Sequence, residues 1–226
     1  IRDSSWTWNN IASYDKTIGD HHFNVLAGME AYSYRYDELT ASRTKMAQPD
    51  MPELVVGSQL TGGSGYRIDY ALVGYLTQAL YDYQNKYFFS ASFRRDGSSR
   101  FGPSNRWATF PSVSAGWKIN SEEFMKDVEF ISLLKLRASW GMSGNDRIGY
   151  SDYVSTFTTG NVAYGNTSQI AIYPTNYANS DLKWETTKAF DFGFDLSLFK
   201  NRIQLNVDYY ICLLYTSDAA DDRISV

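Results

Sequence analysis

Few residues in this chain could do covalent or metal chemistry, and their spacing argues against most of it. His21 and His22 are its two histidines. As neighbours beside a turn they point to opposite faces of a strand, a poor arrangement for gripping one metal ion, so a solvated turn is expected. Glu185, Asp191 and Asp195 recur on one face of a single segment. Glycoside hydrolysis needs two acids placed across a sugar, one of them with a raised pKa in an apolar pocket. No such pocket is legible around these acids, and a hydrated wall is the expectation. The serines include no Gly-x-Ser-x-Gly elbow and no histidine placed to serve one. Gly62-Gly63-Ser64-Gly65 lacks the Lys and following helix of a phosphate loop and reads as a flexible loop. No catalytic residue, metal ligand or cofactor is expected.

Two groups could instead bind. Arg95-Asp96-Gly97-Ser98-Ser99-Arg100 carries turn chemistry at Asp-Gly, with Asp96 free to pair with Arg95 or Arg100 and hold the loop. The functional alternative places Arg100 and Trp107 in a substrate vestibule. Tyr150, Tyr153, Tyr164, Tyr173 and Tyr177 lie in polar connections, where ring faces could stack on sugars. An interfacial aromatic girdle or packing within the loops would use the same residues.

The elements that must carry these residues are strands. From Trp184 to Leu198 the even positions are Trp184, Thr186, Lys188, Phe190, Phe192, Phe194, Leu196 and Leu198, and the odd positions are polar or small. That is a period of two, with one apolar and one polar face. After Lys200-Asn201 it resumes through Ile203, Leu205, Val207, Tyr209 and Ile211, which makes a hairpin. Tyr87 to Arg94 and Ser112 to Ile119 alternate likewise. Further strands are expected near Trp6–Tyr14, His22–Glu38, Tyr66–Tyr83 and Leu133–Met142, giving eight. Ser121 to Asp127 reads as one helical turn capped by Ser121 or Asn120. Every second connection is short. Leu39–Gly65 and Ser143–Ser180 are long, and Asp96–Arg106 is intermediate. Tight turns on one edge and long loops on the other suit an up-and-down antiparallel sheet.

The 226 residues include 18 Tyr, 13 Phe and 6 Trp, with a formal charge of −4. No basic field is available for nucleic acid. The longest uninterrupted apolar run is Tyr209 to Tyr215, far short of the roughly 20 residues of a transmembrane helix. Periodicity alone leaves two readings open: a lipid-facing barrel wall, or a soluble secreted β-rich module for glycan binding or adhesion. They part at Phe190, Phe192 and Phe194, which a soluble module would cover with a second layer of the same chain.

A set of linked motifs favours the first reading. Lys86-Tyr87, Arg95-Asp96-Gly97-Ser98-Ser99-Arg100-Phe101-Gly102, Phe110-Pro111-Ser112-Val113-Ser114-Ala115-Gly116-Trp117, Glu123-Phe124, Leu134-Lys135-Leu136-Arg137-Ala138-Ser139-Trp140-Gly141, Gly144-Asn145, Leu182-Lys183-Trp184-Glu185 and Asn201-Arg202-Ile203 follow in order. Together they resemble the SusC/RagA-like TonB-dependent outer-membrane transporters. The resemblance implies an all-β fold: a fragment, about eight strands long, of an antiparallel up-and-down transmembrane barrel of about 22 strands, with short periplasmic turns and long extracellular loops. It also implies import of oligosaccharides or peptides, with no catalysis, through a Gram-negative outer membrane. The implied partners are TonB, a SusD-like surface lipoprotein and outer-membrane lipid. The resemblance covers most of residues 1–211, which are expected to be barrel, and fails at Cys212. The run from Cys212 to Asp222 instead resembles a translated sequencing-library adapter, so 212–226 is expected to be a non-native tail that breaks the strand pattern.

Overall fold

The computed structural model describes residues 1–46, 50, 53–165 and 167–215. Eight strands form one antiparallel sheet: β1 (Arg2–Ile18), β2 (His21–Met46), β3 (Gly57–Tyr83), β4 (Tyr87–Ser98), β5 (Trp107–Lys118), β6 (Ile131–Asn145), β9 (Glu185–Leu198) and β10 (Ile203–Tyr215). Spatial order follows chain order. Two further strands, β7 (Thr156–Tyr164) and β8 (Thr167–Asn176), pair only with each other, on the excursion between β6 and β9. The sheet strands run from 12 to 27 residues, against about 5 to 6 for soluble proteins and 9 to 11 for a lipid crossing.

The wall is a single layer. Its accessible surface is 16472 Å², whereas a compact folded chain of 25.7 kDa would expose roughly 10,400 Å². Phe190 and Phe192 are each 45% exposed, so no second layer seals them. Among the described residues no helix is long and apolar enough to cross a membrane, which says nothing of strands.

Turn chemistry sets the short edge. Gln84 and Asn85 both have φ of 53°, and Lys86 N donates to Tyr83 O at 2.9 Å, which is the mirror-image turn whose twist matches a hairpin. Phe199, Lys200 and Asn201 turn the β9–β10 hairpin with φ of 51° to 65°.

Several expectations about connections need correction. The 39–65 loop is mostly strand: β2 and β3 pair from His21↔Tyr83 out to Met46↔Gly57, so Gly62 to Gly65 lie inside β3. Ser143–Ser180 is not wholly loop, because it contains the β7–β8 hairpin. Asp96 and Gly97 belong to β4, where Asp96 pairs with Ala108 and Gly97 with Trp107, rather than to a turn. The expected capped helical turn is two short 3-10 turns, Ile119–Ser121 and Glu123–Met125, with no side-chain cap. Asn120 is spent elsewhere: its Oδ1 accepts from Leu134 N at 3.0 Å and its Nδ2 donates to Ser132 O at 3.3 Å, stapling the turn to β6. His21 and His22 open β2, and neither is loose at a turn. The strand pattern does not break at Cys212, since Cys212 to Tyr215 continue the ladder with β9. The rest of the suspected tail, 216–226, lies outside the described residues.

Among the described residues, side chains form a core in one place. β5 and β6 pair only between Ser112↔Gly141 and Lys118↔Lys135, so the sheet parts along a seam toward the loop edge. Phe101, Phe110, Leu182 and Trp184 fill it, with Leu72, Met142 and Tyr153 packed around them. Phe110 lies so close over Gly144 that a Cβ there would sit 2.0 Å from its ring. The Trp184 indole contacts Phe101 and Phe110 at 5.3 and 5.5 Å, and its Nε1 donates to Arg106 O at 3.0 Å. Trp184 therefore precedes β9 and plugs the seam. It does not extend the Phe190–Phe194 face.

Candidate functional site

Each strand sends alternate side chains to opposite faces, and register aligns these into rows across the wall. One face is apolar. The pairs Ala79↔Ala91, Tyr81↔Phe89, Ala91↔Val113, Val113↔Trp140, Trp140↔Phe190 and Phe190↔Ile211 run across it. A shallow groove of about 530 Å³ crosses this face between Ala79, Phe89, Val113, Trp140 and Phe190.

Aromatic rings mark both ends of the apolar band. Toward the short turns, His21, Tyr83, Tyr87 and Trp117 follow one another with centroids 4.8, 6.4 and 6.4 Å apart. Toward the loops, Trp107 stacks on Tyr75 at 6.1 Å with Arg95 5.7 Å from its ring. Tyr87 to Arg95 is eight steps along β4, about 27 Å at the usual strand rise, close to the roughly 25 Å apolar band of an outer-membrane barrel. Gly97 makes the upper mark possible, because a Cβ there would sit 2.8 Å from the Trp107 indole.

The opposite face is polar and internally paired. Ser90 bonds Ser114 at 2.6 Å and Ser92 bonds Ser112 at 2.7 Å. Arg137 grips Asp195 through two nitrogens at 3.0 and 2.9 Å and also donates to Asp208 at 2.8 Å. Arg94 donates through Nε to both oxygens of Asp96 at 2.9 and 2.7 Å, with Glu30 at 3.8 Å. Asp96 thus pairs with Arg94, which shares its face, and with neither Arg95 nor Arg100. His22 lies between Asp82 at 2.7 Å and Asp15 at 3.0 Å, while the His21 ring stacks with Phe23 and Tyr81 on the apolar face. Among the described residues no group of three His, Cys, Asp or Glu could hold a metal.

At the loop edge the polar face is closed by a cluster that sequence patterning did not expose. The Asp146 carboxylate accepts from the Tyr70 and Ser98 hydroxyls, both at 2.7 Å. Arg100 donates to the Asp146 carbonyl at 3.2 Å, and its guanidinium lies between the rings of Tyr70 and Tyr150 at 4.6 and 4.5 Å. The structure thus brings Arg100 and Tyr150 together, with Tyr153 beside them against the seam core. Trp107 is separated from them, because register puts it on the apolar face. Tyr173 packs over Gly160 in the β7–β8 hairpin, and Tyr164 and Tyr177 are widely exposed. Tyr70 and Asp146 gave no sequence signal, because they lie 76 residues apart.

At the turn edge, Glu122 receives the Tyr87 hydroxyl at 2.5 Å and Trp117 Nε1 at 3.0 Å, with Lys86 Nζ 3.5 Å away. These donors, the Tyr87 hydroxyl foremost, hold its carboxyl below the usual glutamate range.

Known proteins share this arrangement. A family model described as TonB dependent receptor-like, beta-barrel, matches residues 2–211. TonB-dependent receptor P39 of Formosa agariphila is 38% identical over 207 residues, covering 89% of this chain and 20% of that protein. TonB-dependent receptor SusC of Bacteroides thetaiotaomicron is 32% identical over 209 residues, covering 90% and 20%. The solved structure of the RagAB peptide transporter superposes with a TM-score of 0.82 at 29% identity, over 94% of this chain and 24% of that one. The chain spans about a fifth of the length of the curated relatives it matches.

Proposed function

Because the chain belongs to the TonB-dependent receptor-like β-barrel family, we propose that it forms part of the wall of an outer-membrane importer. The apolar face meets lipid and the paired polar face lines the conduit. The short turns are periplasmic and the loop edge is extracellular. The work done is binding and gated passage, with no bond made or broken. The family match across residues 2–211 carries this reading, and the two-faced single layer supports it.

The proposed cargo is an oligosaccharide or peptide, delivered under a SusD-like surface lipoprotein and admitted by TonB acting on the complete receptor. Tyr164, Tyr173 and Tyr177 are the proposed stacking contacts for cargo. Arg100, Tyr150 and Tyr153 hold the loop edge on which such contacts depend. Residues 1–211 are taken as barrel and 212–226 as a foreign tail, a division favoured by the family match stopping at residue 211 and tested by resequencing the gene from an independent library. For the importer itself, the test is fractionation and uptake of the complete receptor. The expected result is recovery with outer membranes and growth on a glycan or peptide that is lost when either the receptor or its neighbouring lipoprotein gene is deleted. Recovery of the receptor in the soluble fraction would contradict it.

A further inference from the structure

The two faces of the β2–β3 hairpin differ where it rises past the stacked Tyr75 and Trp107. Register places Gly74 opposite both Glu30 and Asp96. Counting in twos from there, Tyr32, Tyr34 and Tyr36 of β2 and Tyr66 and Tyr70 of β3 stand on the face of Arg94 and Asp96. The other face carries the cross-strand ion pairs Arg35–Asp69 and Arg67–Asp37 at 2.6 and 2.5 Å. An interfacial girdle turns its rings to lipid. These five rings stand on the opposite face, so a girdle does not account for them.

The rings are evenly spaced and held. Tyr36 and Tyr66 have centroids 5.7 Å apart, Tyr32 and Tyr70 5.8 Å apart, and Tyr150 lies 5.9 Å from Tyr70. Carboxylates fix three of the hydroxyls: Glu38 accepts from Tyr36 at 2.5 Å and Tyr66 at 3.3 Å, and Asp146 accepts from Tyr70 at 2.7 Å. From the Tyr32↔Leu72 rung to the Glu38↔Tyr66 rung is six steps, about 20 Å at the usual strand rise. Tyr66 is 53% exposed at the upper end. At the foot lies a cavity of about 430 Å³ lined by Ser92, Arg94, Ser112 and Asp146.

Such a strip suits a chain with apolar faces and hydroxyl edges. Sugar rings lay their C–H faces on tyrosine, and the carboxylates and serines beside the rings can bond sugar hydroxyls. Rings already held in place lose little freedom when a ligand arrives. An extended peptide is caught chiefly by unpaired strand backbone. β2 offers none here, because it is bonded to β1 on one side and to β3 on the other through Asp37. An acidic glycan would meet Glu38 and Asp146, neither of which has an ion pair among the described residues.

We propose that Tyr32, Tyr34, Tyr36, Tyr66 and Tyr70 form a stacking ramp for a neutral oligosaccharide, leading down to the polar cavity beside Asp146. The inference rests on the importer reading above, which makes this face the conduit wall, and it narrows the cargo to uncharged glycans.

The test uses the complete receptor in nanodiscs. Binding of maltohexaose, xylohexaose, mannohexaose, hexagalacturonate and a Gly-Ser hexapeptide is measured by titration calorimetry. The expected result is that at least one of the neutral hexasaccharides binds and that hexagalacturonate and the peptide do not. For the bound glycan, Tyr34→Ala and Tyr66→Ala should each weaken affinity about fivefold and together about 25-fold, whereas Tyr34→Phe, which keeps the ring, should stay within about twofold. Arg35→Ala, on the other face of β2, should change nothing. Tyr66→Ala serves alone if the double variant fails to insert. Undiminished binding in both alanine variants, or an equal loss in Arg35→Ala, would overturn the ramp. Binding of none of the neutral glycans, or tighter binding of hexagalacturonate or the peptide, would overturn the cargo assignment. A receptor that sits in outer membranes and fails these tests would sink this inference alone, whereas a soluble receptor would sink the importer reading.

Discussion

The middle of the wall and the seam at its loop edge are held together differently. In the middle, β4, β5, β6 and β9 are continuous ladders whose apolar side chains touch no second layer; Phe192 is 45% exposed. At the seam the ladder between β5 and β6 stops, and Trp184, 7% exposed, and Phe101, fully enclosed, replace backbone bonds with packing. The middle gains from burial only when lipid supplies the other side, since lipid tails are as apolar as the residues that meet them. The seam carries its own core and is expected to hold in either medium. On the proposed importer reading, lipid is thus a structural partner for one region and a bystander for the other.

The largest effect that would sharpen this contrast comes from emptying the seam. Trp184→Ala in the complete receptor removes the contacts with Phe101 and Phe110 and leaves Arg106 O with Ser98 N as its remaining donor. It is expected to cost about 3 to 5 kcal/mol, read by denaturant unfolding, with nearly the same loss in detergent and in bilayers. Next is Phe192→Arg, expected to cost about 2 to 4 kcal/mol in bilayers and much less in detergent that can rearrange around the charge. Equal costs in both media would erase the distinction between the regions. Ser92→Ala with Ser112→Ala, on the polar face, should cost under about 1 kcal/mol in either medium by the same unfolding measurement.

The smallest expected effect concerns the turn edge and pH. Because Glu122 titrates below its ordinary value in the folded state, its hold on Tyr87 and Trp117 is fully present above about 4.5 and fades as pH falls through the lowered value. Amide exchange across residues 119–130 should therefore quicken on acidification below that point. Glu122→Gln should flatten the pH profile. An exchange rate that rises with increasing pH beyond the intrinsic chemistry would contradict the assignment.

The wall strands were legible because an apolar face and a polar face impose period two on Phe190–Phe194 and Tyr87–Phe93. That signal fades where both faces meet water. This explains why Leu39–Met46 and Gly57–Gly65, with Thr, Ser and Gly on either side, read as loop although they pair. The hairpin at 156–176 carried only β-branched and Tyr enrichment, with Gly165 at φ 60° marking its turn. Trp184 misled by parity: it falls in step with Phe190, but the seam turns it inward. Trp107 was separated from Arg100 by register, since a strand position one step off faces the other side. The Tyr70–Arg100–Tyr150–Asp146 cluster had no local signature, because its members come from β3 and from two separate connections of the chain.

The direct test of the two-faced wall is site-directed spin labelling of the complete receptor in bilayers, at Phe192 and at Asp191, with Cys212→Ser to remove a competing exposed thiol. The account expects the label at 192 to be relaxed by lipid-dissolved oxygen and the label at 191 by a water-soluble nickel chelate. Chelate access at both positions, or oxygen access reversed between them, would contradict it.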